Sequence, residues 1–489
     1  MTLANRASEL RYTVRPRVVV KYLGQLCLVM AVIALVPLTI SLVYTEFQTS
    51  IRYASVIGGL AIVGFLLSTI KSPSNIQTNE GMVIVAFTFL ISPLAMTFPL
   101  MSEGLNFIDA FFEAVSGITT TGLSTTGSLS GAKATFLFAR AWMQWYGALG
   151  IVGLSLALLL QPGLVAKGLA VIESHPDDLV GGTRARMQRI ILVYSILTLI
   201  AITGSFLTGL KISDAILYSF SAISTGGFAP HYSSLGFMGW ASRIWIMLVC
   251  MMGALPLAFY NQIFRHKRFA SLGFLQIKSL LVMIFIITVI LGWSMLQNGT
   301  WSWSETLRNA PVMATSAQTT AGFSSIPVQK LASSSKLILI IAMLTGGSVG
   351  STAGGIKILR LIITINLILF FVMRTSLPRH AVLKPWLRDR QLQPNDIQEA
   401  LLLIVLFSLV ILFSWLLFLA LGYNPIDSLF EVVSATGTVG LSTGITSPDL
   451  PLLLKLTLCA DMLLGRLEIV AWIVMIYPLT WFGNKMKTS

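Results

Sequence analysis

Charge is scarce in this chain. Of its 489 residues only 11% are Asp, Glu, Lys or Arg, while 55% are hydrophobic. Ordinary soluble domains carry about 25% charged residues, so a freely soluble globular protein is excluded. The three cysteines, Cys27, Cys250 and Cys459, are scattered through apolar segments without paired spacing. That excludes a disulfide framework or a cysteine zinc site and marks them as core residues. Histidine is as sparse: His175, His266 and His380 fall in polar connections, and His231 follows a glycine-containing loop. No pair has the spacing of metal ligands or of a catalytic triad, and an enzyme is not expected.

What is present is a succession of apolar runs, several exceeding the roughly 20 residues that a helix needs to cross a bilayer. The first, at 23–44, follows Arg6, Arg11, Arg15, Arg17 and Lys21 in the manner of a secretory signal. Its length and the lack of a small-residue cleavage site favour a retained span. The pattern predicts an all-α polytopic membrane protein with ten full spans. Two precede the rest, near 20–45 and 51–70; leading spans follow near 80–101, 188–210, 274–296 and 397–421, and second spans near 135–160, 238–263, 336–372 and 452–483. The run at 336–372 is too long for one crossing and its middle is broken.

Basic residues collect at the N-terminus, at Arg184, Arg186 and Arg189, at Arg265, Lys267 and Arg268, from Arg374 through Arg390, and at Lys485 and Lys487. An even number of spans puts all of these on one side, which the positive-inside bias makes cytoplasmic, both termini included. The excess of 33 basic over 19 acidic residues then needs no nucleic acid; anionic lipid of the inner leaflet accounts for it.

Four copies of one eight-residue block divide the chain: Ser116-Gly-Ile-Thr-Thr120-Thr121-Gly122-Leu, Ser221-Ala-Ile-Ser-Thr225-Gly226-Gly227-Phe, Ser316-Ala-Gln-Thr-Thr320-Ala321-Gly322-Phe and Ser434-Ala-Thr-Gly-Thr438-Val439-Gly440-Leu. Ser, Thr and Gly hold positions one, five and seven throughout. Chance would produce such a frame on the order of a few hundredths of a time in a chain this long, so the blocks mark a fourfold pseudo-repeat. The units are an N-terminal two-span extension at 1–75 and repeats at 76–165, 185–265, 272–375 and 396–489.

Eight residues, from Asp109 to Ser116, reach about 12 Å as a helix, against a hydrocarbon core of about 30 Å. The stretch before each block is therefore a re-entrant half-helix. Asp109, Asp214 and Asp427 stand seven residues before the block Ser, with Asn309 in the third copy; all four are read as pore-helix N-caps. Pro311 fits a helix start there. The backbone beyond each half-helix is extended at membrane depth, which is tolerated only where it is buried in protein or lines a watery path. Glycine permits the dihedrals that would turn successive carbonyls towards a common axis. Four copies around such an axis would ring a monovalent cation with carbonyl oxygens, and the Thr at position five adds a hydroxyl. The candidate ion-binding residues are the fifth, sixth and seventh of each block.

These blocks, with Gly346-Gly347-Ser348-Val-Gly350-Ser351-Thr352-Ala-Gly354-Gly355-Ile-Lys357 and Gly465-Arg466-Leu-Glu468, make nearly the whole chain resemble the Trk, Ktr and HKT potassium transporters. The two extra N-terminal spans are similar to those of the Trk membrane subunit. The resemblance implies potassium as substrate, no cofactor, and potassium selectivity, since all four filter glycines are present. It also implies a bacterial inner membrane, a homodimer with one pore per subunit, and a cytoplasmic nucleotide-binding regulatory ring.

A second repeat lies in the second spans, where Gly147, Gly253, Gly346 and Gly465 follow the filter glycines by 25, 26, 24 and 25 residues. For Gly147 and Gly253 close helix packing is the expected role. The glycine-rich run 346–355 suits a flexible loop, and Arg466 inside an apolar span needs a cavity or a partner, because a buried Arg costs about 2.5–3.5 kcal/mol. Loop and Arg466 together are the candidate gate beneath the filter; Asp461 and Glu468 are the alternative partners that would make Arg466 merely structural. Glu113 and Glu431, three residues before the block Ser, are expected to support the half-helices. The run 346–355 lacks the P-loop pattern. Residues 173–178 and 374–396 are candidate docking surfaces for a ring. A passive pore is favoured over coupling to a proton or sodium ion, since pore-region acids are few; a sodium-preferring pore would show substituted filter glycines.

Overall fold

The computed structural model describes residues 13–73, 76–127, 129, 131–159, 183–260, 271–297, 299, 301–376, 378, 385–388 and 390–482. Segment 173–178, the basic clusters at 265–268 and 485–487, and part of 374–396 lie outside them.

Helices α1 (Pro16–Val43) and α2 (Phe47–Ser68) form an antiparallel pair. They close tightly because Gly24 and Gly64 face one another: a side chain at either would strike the other helix, the small-residue packing on which membrane helices rely. Arg15, just before α1, holds Glu80 at 2.6 Å and so ties the pair to the first leading helix.

The leading helices are α3 (Thr78–Leu100), α6 (Thr183–Leu207), α9 (Ser271–Gln297) and α13 (Pro394–Ala420). Each is followed by a short helix: α4 (Phe107–Ile118), α7 (Ile212–Ile223), α10 (Trp303–Gln318) and α14 (Pro425–Thr436). The second elements are α5 (Ala134–Leu159), α8 (Trp240–Ala254), α11 (Ser333–Thr345) with α12 (Ile358–Thr375), and α15 (Leu452–Arg466) with α16 (Ile469–Ile476) and α17 (Pro478–Trp481). Strands β1 (Trp386–Leu387) and β2 (Arg390–Gln391) make a small hairpin between α12 and α13.

Among the described residues, seven helices are long and apolar enough to cross a bilayer; the ten crossings read from the sequence are not ten continuous helices. The break expected after Gly346 is present. Two further breaks are new: α8 stops at Leu255, which is extended because the following Pro256 disfavours the helical region, and α15 stops at Leu467, also extended. All three cysteines are buried.

The half-helices have 12, 12, 16 and 12 residues, about 18 to 24 Å at 1.5 Å per residue and short of a full crossing. Their starts correct the cap assignment. Asp109, Asp214 and Asp427 are first-turn residues, and the N-caps are Asn106, Lys211 and Asn424. The third half-helix begins earlier still: Ser302 caps it and pairs reciprocally with Glu305. Asn309 and Pro311 therefore lie within α10, where Asn309 donates to the Glu305 carbonyl at 2.9 Å. An acid at the third helical position serves the helix dipole as well as one at the cap, which is why sequence alone misplaced these starts by three residues or more.

Candidate ion filter and gate

Each half-helix ends in the same way. The sixth block residue donates to the carbonyl of the block Ser, as in Thr121 to Ser116 at 2.9 Å, Gly226 to Ser221 at 2.8 Å, Ala321 to Ser316 at 2.9 Å and Val439 to Ser434 at 2.8 Å. The fifth donates to the residue three before it. This is the Schellman termination, whose left-handed position is usually glycine. Here it is threonine: φ is 54° at Thr120, 51° at Thr225, 56° at Thr320 and 49° at Thr438. A β-branched residue with positive φ is an outlier, and four in register locate strain at one place, as functional sites do. In the first and fourth repeats the block Ser hydroxyl also accepts the filter glycine N–H, at 3.0 Å in both. That accounts for Ser116 and Ser434; the Ser221 and Ser316 hydroxyls are buried with no hydrogen-bond partner among the described residues.

The four glycines form a closed circuit. A Cβ on Gly122 would run into the carbonyl oxygen of Gly226, one on Gly227 into that of Ala321, one on Gly322 into that of Val439, and one on Gly440 into that of Thr121. Each repeat thus abuts the next, and the fourth returns to the first. Positive φ at all four, 91°, 79°, 71° and 94°, adds a second reason for glycine. The four threonines are buried. Their hydroxyls differ: Thr225 donates to the Ser224 carbonyl at 2.7 Å, Thr320 accepts the Gly354 N–H at 2.8 Å, and those of Thr120 and Thr438 have no hydrogen-bond partner among the described residues.

Side chains outside the blocks brace this circuit, and among them Gln144, Arg140, Lys336 and Lys455 carry no signal in the sequence. Gln144 donates to the Gly226 carbonyl at 2.5 Å and accepts the Phe228 N–H at 3.1 Å. Lys455 reaches across the repeats to Asp109 at 2.5 Å, and Lys336 to Asp427 at 2.7 Å. Glu113 gathers Ser124, Thr125 and Thr126 from the chain leaving its filter loop and pairs with Arg140 at 3.0 Å. Arg140 in turn lies over the ring of Phe228, 3.9 Å from its centroid. Glu431 is held by Ser442, Thr443 and Thr446, so the two carboxylates hold the half-helix and the outgoing loop together. Gly147, Gly253 and Gly465 touch the last turns of their own half-helices, since a Cβ there would meet the carbonyls of Ile118, Ile223 and Thr436.

The glycine-rich loop runs directly under the filter. Gly354 abuts Gly437 and the Thr438 hydroxyl while donating to Thr320, and the Thr352 hydroxyl bonds the carbonyls of Ile223 and Gly253 at 3.0 and 2.9 Å. Gly346 accepts from Gln318 at 2.8 Å. Backbone bonds from Ser348 to Ala254, from Thr352 to Gly253 and from Leu257 to Gly350 stitch the loop to the break after α8. Ser351 closes the loop on Ser348 at 2.6 Å, and Gly347 accepts from Ile358 at 2.9 Å; Gly346, Gly350 and Gly355 have φ of 65°, 74° and 75°. Arg466 is buried and donates to the Thr352 carbonyl at 2.7 Å. Neither acid weighed as its partner binds it: Asp461 accepts from Ser414 at 2.6 Å, and Glu468 pairs with Arg360 at 2.5 Å.

Re-entrant half-helices meeting around a buried ring, within a bundle of apolar helices, define a polytopic membrane transport protein. The TrkH family model, described as a cation transport protein, matches residues 50–255 and 266–479, and the chain belongs to that family, whose members are transporters and not enzymes. It is 29% identical to an uncharacterized cation transporter of Methanocaldococcus jannaschii, over 93% of this chain and 94% of the relative. It is 27% identical to the Trk system potassium uptake protein TrkH of Halomonas elongata, over 95% and 99%. The crystal structure of the potassium transporter TrkH from Vibrio parahaemolyticus has the same fold, with a TM-score of 0.85, 22% identity, and coverage of 96% of this chain and 100% of that one.

Proposed function

We propose that this chain carries potassium across the bacterial inner membrane for uptake, with the fifth to seventh residues of the four blocks as its filter and the loop 346–355 with Arg466 as its gate. The observation that carries the reading is the closed circuit of Gly122, Gly227, Gly322 and Gly440, each against the carbonyl of the neighbouring repeat. A ring of backbone oxygens replaces the hydration shell of a monovalent ion without a fixed negative charge. The relatives named as potassium uptake proteins support the choice of ion. The Arg466 guanidinium, about 4 Å from a passing cation, would oppose it by roughly 4 kcal/mol at an effective dielectric of 20.

In this reading both termini are cytoplasmic, the half-helices enter from outside, two copies associate with one pore each, and a cytoplasmic nucleotide-binding ring moves the loop. Reversal potentials of the protein in vesicles with opposing potassium, sodium and pH gradients test it. A potential that follows potassium alone is expected; one that follows sodium equally removes the filter assignment.

A second reading, coupling of potassium to a proton, is favoured by Asp461. This carboxylate is buried in α15, and its second oxygen has no hydrogen-bond partner among the described residues. Intramembrane acids of this kind mark proton relays. Under coupling, Asp461→Asn abolishes the dependence of the reversal potential on pH; in a passive pore there is none to abolish.

A further inference from the structure

Beyond the ion path, at the end of the bundle where the half-helices begin, a cavity of about 630 Å³ opens between α8 and α10. Its walls are Met238, Trp240, Arg243, Ser304, Leu307 and Arg308. Two guanidinium groups share it, close enough to repel one another, and no carboxylate lines it. The nearest acid in sequence, Glu305, is spent on the N–H and hydroxyl of Ser302. Arg243 is fixed by donation to the carbonyls of Met238 at 3.0 Å and Gly236 at 2.7 Å. Arg308 is exposed, and among the described residues nothing neutralises it.

Two like charges held side by side without a counter-charge call for an anion, and paired guanidiniums suit the oxygens of a phosphate. The surroundings say which kind. From the cavity a stripe of exposed apolar side chains runs along α8, through Trp240, Ile244 and Leu248, and exposed Trp303 and Leu307 stand opposite on α10. Residues 240, 244 and 248 lie one turn apart on one helix face, and tryptophans at a helix end sit where headgroup meets acyl chain. A free phosphate would need only the arginines. The stripe adds a path for hydrocarbon.

We infer that Arg243 and Arg308 bind the phosphate of an anionic phospholipid, its acyl chains lying along Trp240, Ile244 and Leu248. The site joins the second element of one repeat to the half-helix of the next, so an occupied site clamps α10, which leads into the third filter block, and its single negative charge offsets one of the two positive charges there.

The test is native mass spectrometry and thermal denaturation of the full-length protein in detergent, titrated with phosphatidylglycerol, phosphatidylcholine or inorganic phosphate. Arg308→Ala is the chief variant, since that side chain is exposed and among the described residues has no hydrogen bond or ion pair to lose; Arg308→Glu adds charge reversal. The wild type is expected to bind one more phosphatidylglycerol than Arg308→Glu, and Arg308→Ala to bind it about tenfold more weakly. Phosphatidylcholine, whose phosphate is shielded by its own cation, should compete poorly. Protection by inorganic phosphate equal to that by lipid would assign the site to a free anion and overturn the acyl path. Identical phosphatidylglycerol binding by wild type, Arg308→Ala and Arg308→Glu would overturn the site itself.

Discussion

Arg466 donates to the backbone carbonyl of Thr352 at 2.7 Å, so the cation that ends α15 in the fourth repeat is latched to the loop of the third. A carbonyl partner leaves the positive charge uncancelled. Arg466→Ala is therefore expected to raise potassium flux into vesicles by at least tenfold, through loss of both the repulsion and the latch. Thr352→Ala keeps the carbonyl and removes the hydroxyl, whose one proton is shared between the Ile223 and Gly253 carbonyls and whose oxygen accepts from Thr225 at 3.4 Å; bonds of this kind are worth about 1 kcal/mol, so its flux should rise far less. Equal fluxes in wild type and Arg466→Ala would end the gate assignment.

The left-handed threonines separate strain from ion binding. Glycine in place of Thr120 or Thr438 relieves roughly 1 kcal/mol of backbone strain or more and removes a hydroxyl that has no hydrogen-bond partner among the described residues. Each variant should keep its melting temperature within a few degrees while binding potassium several-fold more weakly, as read by calorimetry. Thr320→Gly also orphans the Gly354 N–H, an unmet buried donor costing about 1–3 kcal/mol, and should melt lower.

The two lysine bridges between repeats predict unequal losses. The Lys455 and Asp109 side chains are only 7% and 6% exposed, whereas Asp427 is 30% exposed in its pair with Lys336. Removing one partner of a buried pair costs about 3–5 kcal/mol; water can cover the stranded partner of a more open pair. Lys455→Ala should thus destabilise the protein several-fold more than Lys336→Ala in thermal denaturation. The order reversed would argue against burial as the cause.

Glu113 and Glu431 offer a matched comparison. Glu431→Gln keeps an oxygen for Ser442 and Thr443, and the Thr446 hydroxyl can turn to accept, so a cost near 1 kcal/mol is expected. Glu113→Gln strands buried Arg140 without its counter-charge, at about 3–5 kcal/mol. Melting temperatures of the two variants decide this directly.

Much of the architecture could be read from the chain because its signals are local. The Ser, Thr and Gly positions recur at fixed intervals, and the glycine run 346–355 cannot continue a helix, so the half-helices, filter loops and third break were all expected. What the sequence hid depends on distant partners. The end of α15 follows Glu468 leaving to meet Arg360, 108 positions away; the break after α8 has a local mark in Pro256, but the loop that packs into it lies almost a hundred residues further on. The Arg466 partner is a carbonyl oxygen, which every residue possesses and no sequence pattern announces. The cap assignment fails at Asp109, Asp214 and Asp427 for a different reason, since acids are favoured in several positions of a first turn, and at Asn309 because the third half-helix starts earlier than the repeat spacing implies.

The circuit of Gly122, Gly227, Gly322 and Gly440 is written in one polypeptide, not assembled from four identical ones. A single codon therefore alters one quadrant and spares three. The glycine-rich loop can therefore hang from a single side, an arginine can stand on the side next to it alone, and the remaining two sides can do without either.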